Sequence, residues 1–84
     1  MAANKIKVKF PKPGMGIDEG TILRWQRREG DRVVQGEPLV EIETAKAVQS
    51  IDAPVNGTLV QVLIPEGQTA AVNTTLAIIE MDLG

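Results

Sequence analysis

The chain has 84 residues, enough for one small domain and too few to enclose a large catalytic cavity. It contains no cysteine and no histidine, which excludes disulfide frameworks, zinc sites built on those ligands and every nucleophile–histidine pairing. Nine cations against eleven acids give a net charge of −2, which argues against a nucleic-acid binder, and no apolar run is long enough for a membrane-spanning helix.

Met1–Phe10 has no signal-peptide core, so the expected location is the cytoplasm, or the mitochondrial matrix in a eukaryote. Ile6, Val8 and Phe10 alternate with Lys5, Lys7 and Lys9, the period of a half-buried strand. Pro11–Gly20 reads as a loop. In the next strand, Thr21, Leu23 and Trp25 are expected on one face, with Ile22, Arg24 and Gln26 on the other. Turns at Glu29–Asp31 and Gly36–Pro38 precede a strand over Leu39–Glu43. Thr44–Ala47 contains no Gly, Pro or Asn, and reads as a turn only from its place before the strand Val48–Ala53. Pro54–Gly57, Pro65–Gly67 and Asn73–Thr75 are turns around the strands Thr58–Ile64 and Leu76–Glu80. No stretch sustains a helical period, so the expected class is all-β.

A repeat lies within this pattern at an offset of 37 residues. Gly20–Glu43 aligned on Gly57–Glu80 gives seven identities: Gly20/Gly57, Thr21/Thr58, Glu29/Glu66, Gly30/Gly67, Leu39/Leu76, Ile42/Ile79 and Glu43/Glu80. Phe10–Pro11 corresponds to Ala53–Pro54, with extra loop residues in the first copy. Two copies are too few for a solenoid and fit two interlocked halves around a pseudo-twofold axis, closing into a sandwich or flattened barrel. That symmetry places the Thr44–Ala47 turn at one end of the body and both chain termini at the other.

Charge singles out one residue in that turn. Residues 33–84 carry seven acids and a single cation, Lys46, whereas eight of the nine cations lie in residues 1–32. The segment Glu41-Ile42-Glu43-Thr44-Ala45-Lys46-Ala47 resembles the lysine turn of lipoyl domains, the carriers of 2-oxo acid dehydrogenase complexes. Gly16–Ile22 is similar to that family's loop into its second strand, Trp25 to Val33 to its W…EGD-x-V stretch, and Ala53–Gly57 to its AP-x-x-G turn. Gly30 and Gly57 stand sixteen residues before and eleven after Lys46, as glycines do in the family. The resemblance covers nearly the whole chain, residues 1–84, as one carrier domain.

The resemblance implies a barrel-sandwich hybrid of two four-stranded antiparallel sheets with pseudo-twofold symmetry. It implies that Lys46 accepts lipoate in amide linkage, supplying redox and acyl-transfer chemistry that a chain without Cys or His lacks. Such a domain is a non-catalytic, monomeric carrier, itself part of or partner to a dihydrolipoamide acyltransferase. Its implied partners are a lipoate ligase or lipoyl transferase, a thiamine-dependent decarboxylase, the acyltransferase core and dihydrolipoamide dehydrogenase. Glu43, Thr44, Ala45, Ala47, Gly30 and Gly57 are the implied recognition positions, with Gly57 expected to keep its adjacent turn unobstructed. Where the family most often has Asp before the lysine, this chain has Ala45, a departure that bears on partner choice rather than on attachment. The alternative is a biotinyl carrier of a biotin-dependent carboxylase, which shares the fold. There the lysine usually lies between two methionines, not between residues such as Ala45 and Ala47.

Other features have plainer readings. Gly14, Gly16 and Gly20 precede no helix and are turn glycines rather than a dinucleotide loop. Pro11–Glu19 is placed near the lysine turn by the resemblance. Arg24, Arg27, Arg28 and Arg32 suit a solvated strand face, Trp25 suits packing, and Glu41 with Glu43 suit a solvent-facing pair. Asn56 and Asn73 head glycosylation-like triplets that read as turns.

Overall fold

The computed structural model describes residues 4–11 and 15–82; Lys12 and Gly14 lie outside the described residues. Eight strands follow one another: β1 (Lys5–Lys9), β2 (Glu19–Trp25), β3 (Arg32–Val33), β4 (Pro38–Glu43), β5 (Val48–Asp52), β6 (Gly57–Val62), β7 (Thr69–Ala71) and β8 (Thr75–Met81). They form two four-stranded antiparallel sheets, ordered β1-β8-β6-β3 and β5-β4-β2-β7. The second order is the first with β1–β4 and β5–β8 exchanged between halves, so the sequence repeat is a structural twofold. The expected strands lie within two residues of those observed, but β3 and β7 were not expected as strands. They occupy equivalent positions of the repeat.

The twofold extends to individual hydrogen bonds. Gly30 N–H donates to Leu59 O at 2.7 Å, and Gly67 N–H, 37 residues on, donates to Ile22 O at 2.8 Å. The core is likewise double. Val33, Leu39, Leu59 and Ile79 lie in one cluster, and their mates Ala70, Leu76, Ile22 and Ile42 lie in the other, all at most 4% exposed. Burying each of the larger aliphatic side chains contributes about 1.5–3 kcal/mol. Trp25 packs against both clusters, and its indole Nε1–H donates to Ile64 O at 2.9 Å.

One expected alternation is corrected. Thr21↔Glu43 and Ile22↔Ile42 pair in register, but the next pair is Arg24↔Glu41, leaving Leu23 as an inserted residue. A bulge of this kind flips the faces that follow it. Ile22 and Trp25 therefore both pack inward, and Leu23 is 41% exposed. Its twofold mate Val60 is bulged and exposed in the same way.

The two ends of the body are distinct. β8 starts with Thr75 paired to Lys9, beside Phe10, whose ring abuts the position a Cβ on Gly20 would take. Gly20 precedes Thr21, which pairs with Glu43 at the mouth of the Thr44–Ala47 turn. β8 finishes at Met81, whose N–H donates to Asn4 O at 2.8 Å. β8, seven residues at about 3.3 Å each, runs about 20 Å between the two ends. The Lys46 turn and the ends of the described chain, Asn4 and Asp82, lie at opposite poles, in line with the expected placement.

Candidate functional site at the Lys46 hairpin

Strands β4 and β5 end in the pair Glu43↔Val48, and four residues close the hairpin. Thr44 N–H donates to Ala47 O at 2.9 Å, and the Thr44 hydroxyl donates to the same oxygen at 3.0 Å. That hydroxyl also accepts from Ala47 N–H at 3.3 Å and from Lys46 N–H at 3.4 Å. One donor and two lone pairs are thus all engaged within the turn. Thr44 is 8% exposed, a polar residue turned inward to hold the loop. This is the turn chemistry that Gly, Pro and Asn supply elsewhere, provided here by a threonine side chain. Glu43, Ala45, Lys46 and Ala47 are all exposed, so the hairpin presents its lysine on a short fixed base.

The Lys46 side chain reaches across to the loop that leads into β2. Its Nζ donates to Met15 O at 3.1 Å. The loop is secured beyond that point by Ile17, 5% exposed, and by Asp18 O, which accepts from Val72 N–H at 2.9 Å. Between loop and hairpin lies an open groove of about 410 Å³, its wall carrying Asp18, Glu19 and Glu43. The Met15 side chain itself is exposed, as is Val48 at the start of β5. Nothing in the sequence marked Met15 as a neighbour of Lys46, because the two are 31 residues apart and joined by a backbone oxygen.

Two expected recognition glycines lie elsewhere. Gly57 pairs with Met81 and Val33 at the pole of the chain ends, and Gly30 bonds to Leu59 in the same sheet. Gly57 is there for close packing: a Cβ would run into the Glu80 carbonyl. The glycine beside the lysine turn is its twofold mate Gly20, where a Cβ would meet the Ile42 side chain and the Phe10 ring. Repeat symmetry therefore put the equivalent packing glycine at the opposite pole from Lys46.

The other cations are differently employed. Lys5, Lys7 and Lys9 alternate along the edge strand β1. Arg24 pairs with Glu41 and Arg27 with Glu37, each at 3.4 Å, on the solvated side of the second sheet. Arg32 makes a two-pronged pair with Asp82, one arm at 2.8 Å, at the terminal pole. Chemically, the Lys46 hairpin presents a primary amine on a flexible stem beside an open polar groove. That arrangement suits covalent attachment and approach by other proteins.

The family described as biotin-requiring enzymes, which covers biotin and lipoyl attachment, matches residues 6–79. Over 75 residues the chain is 39% identical to a dihydrolipoyllysine-residue acetyltransferase component of the pyruvate dehydrogenase complex from Rickettsia bellii, covering 88% of this chain and 18% of that protein. It is 35% identical over 74 residues to a dihydrolipoyllysine-residue succinyltransferase component of the 2-oxoglutarate dehydrogenase complex from Bartonella vinsonii subsp. berkhoffii, with the same two coverages, 88% and 18%. The chain thus spans less than a fifth of the length of these relatives. Among solved structures, the lipoyl domain of the 2-oxoglutarate dehydrogenase complex from Azotobacter vinelandii superposes with a TM-score of 0.67 at 30% identity, covering 93% of this chain and 95% of that one. A single-chain long-chain acyl-CoA carboxylase shares the fold at a TM-score of 0.81 and 20% identity, over 100% of this chain and 8% of that one. The chain belongs to the biotin- and lipoyl-attachment family, and within it to the lipoyl domains. Domains of this family are carriers without catalytic residues of their own.

Proposed function

We propose that Lys46 carries lipoate in amide linkage and moves acyl groups and electrons among the active sites of a 2-oxo acid, or acetoin-type, dehydrogenase complex. The observation that carries this reading is the exposed amine on a hydroxyl-fastened hairpin, at the pole opposite the one where the described chain ends. When attached, the dithiolane supplies the acyl-accepting and redox chemistry that this chain's side chains lack. The protein's part is positional. Thr44 fixes the turn, Glu43 and the groove acids mark it, and the pole opposite the chain ends leaves the arm free to visit several partners.

The partners that fit are a lipoate ligase or lipoyl transferase, a thiamine-dependent decarboxylase, an acyltransferase core to which the domain is joined or docks, and dihydrolipoamide dehydrogenase. The setting is the cytoplasm or, in a eukaryote, the mitochondrial matrix. Ala45, in place of an acid, tunes which decarboxylase accepts the domain. Intact-mass analysis of protein from cells that make lipoate tests the reading. A gain of one lipoyl group, absent in Lys46→Arg, supports it. A gain of one biotinyl group would establish the biotin carrier instead, and no gain at all in ligase-competent cells would contradict both.

A further inference from the structure

We infer that the unmodified Lys46 amine holds the Met15 end of the Met15–Asp18 segment in place through the Met15 carbonyl, and that acylation of the amine releases that end. The loop then reports the modification state of the lysine to any protein that contacts this pole. Three observations combine. Lys46 Nζ donates to Met15 O at 3.1 Å. The Met15 side chain is 85% exposed, so packing does little to fix this residue. Gly16, the next residue, has φ +81°, a conformation that sets the direction of the preceding peptide, while Ile17 and Asp18 are fixed by burial and by the Val72 N–H. The segment therefore has a firm anchor at Ile17–Asp18 and a polar tie at Met15.

Acylation changes the tie chemically. The ammonium loses one proton to become the attacking amine. The amide bond forms as the activated acid's leaving group departs, and a second proton is lost from nitrogen. A cation with three N–H donors becomes a neutral amide with one, attached to a bulky acyl chain. The charge-assisted part of the bond to Met15 O disappears, and the remaining donor competes on equal terms with water.

The test needs neither lipoate nor a partner, so its failure would leave the carrier reading standing. Nε-acetyl-lysine is placed at position 46 of the full chain, beside wild type and Lys46→Met, which has similar length and no donor. Amide hydrogen exchange and the Met15 carbonyl ¹³C shift are followed by NMR. Acetylation and Lys46→Met are each expected to speed exchange at Gly16 and Ile17 about threefold, the scale of one exposed charged hydrogen bond. Both should move the Met15 carbonyl shift upfield, with Gln35 and Asn56 at the other pole unchanged. Unchanged exchange and carbonyl shift in the acetylated protein would overturn the inference, as would an acceleration spread evenly over the chain. A change in Lys46→Met without one in the acetylated protein would also overturn it.

Discussion

Glu29 and Glu66, 37 residues apart, each fasten the opposite half of the molecule. The Glu29 carboxylate accepts from Val62 N–H at 2.7 Å, and the Glu66 carboxylate accepts from Trp25 N–H at 2.9 Å. Val62 is the repeat mate of Trp25, so the two bonds are one interaction made twice. Each sits beside a positive-φ glycine, Gly30 or Gly67, that turns the chain back toward the other half. The Glu-Gly pair repeated in the sequence is thus the clasp between the halves.

Loss of either clasp should cost about 1 kcal/mol, the net value of a hydrogen bond near the surface. Glu29→Ala and Glu66→Ala are expected to shift the urea midpoint by similar amounts with an unchanged slope. Fluorescence of the single Trp25 reports both. A tenfold difference in unfolding constant between the two variants would contradict the equivalence of the clasps.

The hairpin at Lys46 should depend on one hydroxyl. Thr44→Val keeps the shape and removes the donor and both lone pairs, leaving the Lys46 and Ala47 N–H groups to solvent. It is expected to cost about 1 kcal/mol and to slow attachment at Lys46, whereas Thr44→Ser should retain most of both. Calorimetric unfolding and ligation rates check this. Equal ligation rates for Thr44→Val and wild type would show that the turn holds its shape without the staple.

How far such features were legible follows from their physics. Glycines, glutamates and aliphatic residues recurring at 37-residue spacing made the twofold and its poles readable. Alternation failed at Leu23 because a bulge adds a residue without changing composition, and both bulged residues are apolar, as the strand residues around them are. β3 and β7 hold two and three residues, below the length at which periodicity says anything. Lys46 stood out by charge isolation and motif, yet its nearest partner, the Met15 carbonyl, is backbone and carries no residue signature. Gly57 was legible as a required glycine but not as one at the far pole, since spacing along the chain does not say which end of a twofold a residue occupies.

The terminal pole has its own pH dependence. Hydrogen bonds from the Arg32 guanidinium hold the Asp82 carboxyl below its ordinary value; desolvation opposes this, and the guanidinium's positive charge adds to it. A carboxyl depressed in the folded state contributes stability above its unfolded pKa and loses it as pH falls through the folded value. The pair is exposed, so the contribution is small and screened by salt. In acid titration from about pH 5 to about pH 2, Asp82→Asn should lose less stability than wild type. Parallel acid limbs at low ionic strength would contradict this.

The most direct test of the central claim is whether attachment is read by position. Wild type, Lys46→Arg and the double variant Ala45→Lys/Lys46→Ala are incubated with lipoate, ATP and ligase, then digested and mapped by mass. Lys5, Lys7 and Lys9 carry the same amine along a strand edge, so chemistry alone cannot choose among them. The expected result is one lipoyl group on Lys46 in wild type and none in either variant, although the double variant keeps its charge and fold. Modification of the relocated lysine at the wild-type rate, or of the β1 lysines in Lys46→Arg, would contradict a site defined by the Thr44-fastened hairpin.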